Sequence, residues 1–374
     1  MLIQCTKKLL DELKAKPQPH GEEEPLFSWH ANLITLNRRK TIVMVNDKNR
    51  YVIVLHGLKA KDFTKLDTLM LQAIRETFQD ECVKEDIIEQ YIHHARTITF
   101  TKTKDRTLVA RMNKACEEVY FYEELLSNDS LIQSTVGRRI SRFLVGQGKN
   151  QYIYPNEEMY KDLEAFAGQP IFDSKAAELL VALNLEKHHV WRRLVVPANR
   201  TFSQLHKILQ AAFGWKDSHL HEFYLYDPET SHSELSSNHS GSHKEGYKPI
   251  LHLVCEREAF GYENDIPMQM DSGIKLSDYL SAKIKYNYDF GDDWQHYIEV
   301  EKVVPDFEYN HPICIEGQGN TPPEDVGGEY GYEGFLEILA DPSHPEYHNR
   351  VTWAKGQGYM EFDLEAVNQL LKRL

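Results

Sequence analysis

Residues 284–300 read IKYNYDFGDDWQHYIEV, and how this stretch pairs with itself decides the fold of the second half of the chain. Aromatic and β-branched residues alternate with polar ones on both sides of an acidic centre that contains a glycine. That is the pattern of a hairpin half-buried in an antiparallel sheet. With Gly291, Asp292 and Asp293 as a three-residue loop, Phe290 faces Trp294, Tyr288 faces His296 and Tyr286 faces Ile298. These side chains share one apolar face. Lys285, Asn287, Asp289, Gln295, Tyr297, Glu299 and Glu301 take the other, solvated face. His296 is the unusual member. An imidazole pointed inward among aromatics is either a hydrogen-bonded core histidine or a buried base or metal ligand. The letters DFG also occur in the magnesium motif of protein kinases, but no HRD loop, VAIK strand or Gly-rich phosphate loop precedes them here.

Upstream, AAELLVALNL (176–185) and VWRRLVVP (190–197) read as strands. Thr201 N-caps a helix whose Phe202, Leu205, Ile208, Leu209 and Phe213 form one apolar face. GWKDSHLHEFYLYD (214–227) places His219 and His221 two apart at a strand start. Alternation puts both on one face, where a third ligand would complete a metal site. Residues 228–248, rich in Ser and His, read as a mobile loop in which His232, His239 and His243 hold no specific metal. Downstream, CIEGQGNTPPEDVGGEYGYEGF (314–335) carries Glu324 and Asp325 on a loop stiffened by Pro322 and Pro323. Those carboxylates suit a cation, or the cap of a helix beginning near Tyr332. Ser343 is expected to N-cap a further helix with Pro345 in its first turn, and Asp363 to cap the closing one.

In the first half, TIVMV (41–45) and RYVIVL (50–55) flank the polar turn NDKN, a hairpin signal. Phe63, Leu66, Met70, Ile74 and Phe78 recur at helical spacing. Gly168 and Pro170 punctuate a boundary at about 165–175. The expected architecture is α+β in two domains, 1–165 and 175–374, the second with an antiparallel sheet and packed helices.

The net charge of −14 is unevenly placed. Residues 171–374 hold 33 Asp and Glu against 18 Lys and Arg, a balance of −15; the remaining 24 acids and 25 bases leave residues 1–170 at +1. The acidic half repels a phosphate backbone, so nucleic-acid contact is expected only through basic clusters such as Arg138, Arg139 and Arg142. Five scattered cysteines form no CxxC and no disulfide ladder, which fits a reducing cytoplasm. No run of about 18 apolar residues exists to span a membrane.

Taken in order, VWRRLVVPANRTFSQLHKILQAAFGWKDSHLHEF, YDFGDDWQHYIEVEK, CIEGQGNTPPEDVGGEYGYEGF, DPSHPEYHNRVTW and FDLEAVNQLL resemble the plasmid pRiA4b ORF-3-like family over about 175–374. The N-terminal part resembles a bacterial domain of unknown function. Members of the first family often carry a resolvase-like label as passengers of an insertion element. That label implies DNA recombination, yet residues 175–374 show no serine set among arginines. Relatives carry further cysteines in the loop that here reads GQGNTPPED; with Cys314 alone upstream, no thiolate-rich metal site is expected.

Three functional expectations follow. The first is a non-catalytic binding or adaptor protein whose acidic C-terminal domain engages a protein or small ligand, with Trp294, Tyr288 and Arg192 as candidate contacts. The second is a metal-dependent hydrolase or nuclease. It would use a divalent metal held by His219, His221 and His296, with His296, Asp289, Glu324 and Asp325 as candidate catalytic groups. The third is a DNA-linked accessory protein of a mobile element, working through Arg138, Arg139 and Arg142.

Overall fold

The hairpin of residues 284–300 forms, but two residues out of the expected register. In the computed structural model Ile284 pairs with Ile298, Tyr286 with His296 and Tyr288 with Trp294. The loop therefore holds residues 289–293 rather than three. Asp289, in the left-handed region at φ +54°, accepts the N–H groups of Gly291 and Asp292 on Oδ1. A shift of two preserves faces, so Tyr286, Tyr288, Trp294, His296 and Ile298 do line the core. Phe290 is released from it and stands 54% exposed.

The structure describes every residue except 15, 20–23, 149, 173, 232–234, 237–238 and 263–264. The chain divides into two units, Met1–Asp173 and Ser174–Leu374.

The first unit is a five-stranded sheet in the order β4-β3-β2-β1-β5, built from β1 (Leu2–Cys5), β2 (Ser28–Leu36), β3 (Arg39–Asn46), β4 (Val52–Leu58) and β5 (Thr99–Lys102). β1 runs parallel to β2 and β5; the other pairs are antiparallel. Helices α1 (Lys7–Leu13), α2 (Leu66–Asp80), α3 (Glu85–Ala95), α4 (Arg106–Phe121), α5 (Ser134–Ser141) and α6 (Pro155–Ala167) accompany it, with a small ribbon of β6 (Val145–Gly148) and β7 (Gln151–Ile153). Ile42, Met44 and Ile53 pack under α2 and α3, whereas Val43, Val45 and Val54 pack under α4 and α5. Both faces are covered, which is why these strands read as unbroken apolar runs.

The second unit is an eight-stranded sheet in the order β12-β11-β10-β13-β14-β8-β9-β15. Its strands are β8 (Ser174–Leu183), β9 (Val190–Pro197), β10 (His221–Ser231), β11 (Tyr247–Val254), β12 (Met268–Met270), β13 (Lys283–Tyr288), β14 (Trp294–Phe307) and β15 (Ile313–Gln318). All pairings are antiparallel except β11 with β12. Helix α7 (Phe202–Phe213), capped by Thr201 as expected, lies on one face with α8 (Gly328–Ala340), α9 (Tyr347–Gln357) and α10 (Leu364–Leu371). Two caps differ from expectation. Helix α8 starts at Gly328, before Tyr332, and neither Glu324 nor Asp325 caps it. Ser343 donates to Asp341 instead of capping α9.

The face expected to be wet is half covered. Residues 239–243 fold over it, where Lys285 donates to the carbonyls of Ser240 and Ser242 and is 1% exposed. Asn287 donates to Glu222, which His252 also meets at 2.7 Å. His239 and His243 serve local backbone and aromatic contacts there, and His232 lies outside the described residues.

Arg192, on β9, is another buried cation. Its Nε–H donates to Ala212 O, its Nη1 to Trp191 O and Gln318 O, and its Nη2 to Gly319 O and Thr321 Oγ1. All five donors of the guanidinium are used, and the Phe362 ring stacks 3.9 Å from it. Burial alone pushes its pKa down to about 10. Lysine offers three donors to these five acceptors. Arg192→Lys is therefore expected to lower the unfolding free energy by about 2 kcal/mol or more in urea titration; a loss within about 0.5 kcal/mol would contradict the clamp.

Candidate functional site

Helix α7 ends at Gly214 in the left-handed conformation, and the chain turns through Trp215–Leu220 into β10. Three loops meet at this end of the sheet: 215–220, 289–293 and 322–328. The Trp215 indole donates to Pro322 O at 2.9 Å, and Lys216 N–H donates to Glu324 Oε1 at 3.0 Å. Glu324, 4% exposed, also accepts the hydroxyl of Tyr288. Burial first, then the Glu324 carboxylate, push the Tyr288 phenol well above its ordinary range. Asp292 Oδ2 accepts Gly327 N–H at 3.1 Å, tying the hairpin loop to the third loop. Gly328 suits this closeness: it sits at φ +66°, and a Cβ there would lie 3.0 Å from Asp292 O.

On this frame stands an open cluster. His219 Nε2 is 3.0 Å from Asp325 Oδ1 and 3.4 Å from Asp289 Oδ2. Asp289 divides its oxygens: one caps the hairpin, the other faces His219. One donor atom from each of the three residues falls within 4.8 Å of the others. They could hold a divalent cation with water completing its shell.

The other candidates lie elsewhere. His221 turns away from His219, because only His221 belongs to the strand, and meets Asp271 Oδ2 at 2.9 Å. Its ring stacks on His206 with centroids 3.5 Å apart and planes 5° apart. His206 in turn contacts Tyr286 at 2.7 Å and Asp217 at 2.6 Å. Against the burial that disfavours its charge, Asp271 and the Cys255 thiol raise His221 to about 9. Burial and then the neighbouring His221 charge lower His206 to about 4. His296 is sealed at 0% exposure among Phe213, Trp215, Tyr286 and Trp294. Neither of its nitrogens has a partner in hydrogen-bonding geometry, although the backbone of Tyr286 and Trp294 lies close by. It is a core residue without the hydrogen bond expected of one. Trp294, Tyr288 and Arg192 also face inward, at most 2% exposed, so they shape the site rather than present themselves to a ligand. A cavity of about 200 Å³ opens beside Arg192, bounded by Phe213, Trp215, Pro322, Pro323, Tyr359 and Phe362.

In the first unit, the basic cluster is largely committed. Arg142 and Arg138 meet the buried Glu81 at 2.6 and 3.3 Å. Despite its burial, these guanidiniums hold Glu81 down at about 2. Arg139 packs over the Tyr122 ring.

His206, Asp217, Cys255 and Asp271 went unnoticed in the sequence. Asp217 adjoins the His219–His221 pair, but Cys255 and Asp271 follow β11 and β12 far along the chain, and only the folded sheet brings them near.

Residues 2–158 match a domain of unknown function (DUF6933), and residues 175–370 match the family described as plasmid pRiA4b ORF-3-like protein. The uncharacterised protein y4hQ of Sinorhizobium fredii is 34% identical over 196 residues, which are 52% of this chain and 87% of that one. A crystal structure of a protein of unknown function from Methanosarcina mazei Go1 is 35% identical, with a TM-score of 0.40 over 52% of this chain and 97% of that one. Among the described residues, no helix is long and apolar enough to cross a membrane.

Burial lowers His296 from 6.5 to about 3. The unfolded chain thus takes up this proton first as pH falls below 6.5, and the folded state loses stability down to pH 3. At pH 5 the loss from this residue is about 2 kcal/mol. His296→Leu is expected to shrink the stability difference between pH 8 and pH 5 by about that amount in denaturant titrations. An undiminished difference would mean that His296 ionises freely.

Proposed function

The chain belongs to the plasmid pRiA4b ORF-3-like family through residues 175–370, and from that premise we propose that its acidic C-terminal domain is a binding module. Its partner is a cationic segment of a protein, met at the cluster of His219, Asp289 and Asp325. The relatives described above contribute a domain and no activity, so the reading rests on the chemistry of the site. One observation carries it: the Asp325 and His219 side chains are 60% and 30% exposed, on loops fixed from behind by buried Glu324. A carboxylate held open on a rigid frame, as Asp325 is, needs little reorganisation to meet an opposite charge. Leu220 and Phe290, 50% and 54% exposed, adjoin His219 and Asp289 in the chain. They suit the methylene stems of Lys and Arg. The balance of −15 over residues 171–374 favours encounter with a basic partner.

The direct test is fluorescence anisotropy with a labelled Lys/Arg-rich peptide. Binding is expected at low salt, falling steeply as salt rises and weakening about tenfold or more in Asp325→Lys. No binding at low salt, or binding indifferent to that substitution, would contradict the reading.

The metal-dependent hydrolase is a second reading, favoured by the three donor atoms within 4.8 Å. A metal there would activate water beside a carboxylate. Calorimetric titration with Zn²⁺ or Mn²⁺ tests it on protein without a His tag. It requires one site per chain, lost in His219→Ala.

A further inference from the structure

Three cations and one carboxylate line a cavity of about 230 Å³ in the first unit. Its floor is apolar. Val45 on β3 and Val52 on β4 are cross-strand partners, and with Ile140 of α5 they are at most 4% exposed. Phe143 and Leu144, which follow α5, add an apolar wall, and Leu144 is 54% exposed.

Helix α4 supplies another wall. Arg111, Lys114, Ala115 and Glu118 recur at helical spacing, so they share one face of the helix, and all of them line the cavity. Lys114 is committed: its ammonium lies 3.3 Å from Glu117 and 3.3 Å from Glu118. That pairing takes up Glu118, the carboxylate of the cavity, and leaves Arg111 without it. Arg50 comes from the turn between β3 and β4. It holds a left-handed backbone at φ +70°, and its guanidinium donates to Gly146 O, a neutral acceptor. The carboxylates near that turn are engaged elsewhere, Asp47 with His30 at 2.6 Å and Asp162 with Lys48 at 2.7 Å. Among the described residues, neither Arg50 nor Arg111 has a carboxylate within 4 Å. Both are half-buried. Burial and then the nearby charge of Arg111 lower the pKa of Arg50.

Two like charges drawn partly out of water beside each other lose hydration and repel. An anion placed between them reverses both costs. The guanidinium fork matches the paired oxygens of a carboxylate. The valine and isoleucine floor suits a hydrocarbon body. Glu118, beside Lys114, opposes a second negative charge, which favours a carboxylate over a phosphate dianion. We propose that this cavity binds a small carboxylic acid with an apolar body, its carboxylate held by Arg50 and Arg111 and its hydrocarbon laid on Val45, Val52 and Ile140. The site lies wholly within Met1–Asp173 and does not rest on the function proposed for the His219 cluster.

Calorimetric titration of the full chain with octanoate tests this, beside acetate for the head alone and 1-octanol for the body alone. Octanoate is expected to saturate one site per chain. Acetate and octanol are expected to bind about tenfold more weakly or less, since each lacks one half of the interaction. Arg111→Gln is expected to weaken octanoate about tenfold or more, the loss of one charge-assisted pair. Arg50→Gln is expected to act in the same sense and serves if Arg111→Gln unfolds. Arg96→Gln removes an exposed charge at the end of α3, outside the cavity, and is expected to leave the affinity unchanged. The proposal is overturned if octanoate does not saturate, if acetate or octanol binds as tightly, or if folded Arg111→Gln and Arg50→Gln bind no more weakly than Arg96→Gln.

Discussion

Arg192 places a full positive charge under the C-terminal domain and meets it with no carboxylate. The cost of burying that charge is offset by five hydrogen bonds to neutral oxygens and by two aromatic rings, Phe213 and Phe362. The choice of oxygens has a physical logic. Ala212 O belongs to the last turn of α7, where carbonyls lack intrahelical partners and the helix dipole favours a cation. Gln318 O, Gly319 O and Thr321 Oγ1 belong to the segment leading into Pro322 and Pro323. A single planar group therefore fixes the end of α7 against the start of the third loop. Trp215 and Lys216, just beyond α7, then reach Pro322 and Glu324 across a short gap.

From that clamp the rest of the site is assembled by polar ties beside the stacking of Trp215 on Tyr288 and Trp294. Glu324 binds loop 215–220 through Lys216 N–H and the hairpin through Tyr288; Asp292 binds the hairpin loop to Gly327. The acids of DFGDDW and PPED thus divide into two kinds. Glu324, Asp292 and one oxygen of Asp289 are structural. Asp325 is exposed, His219 is half-buried, and the second oxygen of Asp289 faces His219 from a buried position. Such ties are directional, so they set the positions of these groups more closely than an apolar contact would.

Much of the fold was legible in the sequence because alternation is robust: the hairpin slipped by two residues and still delivered Tyr286, Tyr288, Trp294, His296 and Ile298 to the core. What was not legible were features set by partners far along the chain. Lys285 and Asn287 read as solvated, since nothing local foretells that residues 239–243 cover them. His219 and His221 read as a pair, since spacing cannot tell that the strand begins between them. His296 read as a possible ligand, but the side chains that enclose it are apolar and aromatic and offer no second donor. Arg192 read as a ligand contact, because its five acceptors are mostly backbone oxygens that no motif reports.

The site requires that Glu324 hold the three loops as one unit. Hydrogen exchange followed by mass spectrometry on Glu324→Gln measures this directly. Protection is predicted to fall together in residues 215–220, 289–293 and 322–328, with the strands of the sheet unchanged. If exchange accelerates only in 322–328, the loops are independent and the cluster of His219, Asp289 and Asp325 is not a built site.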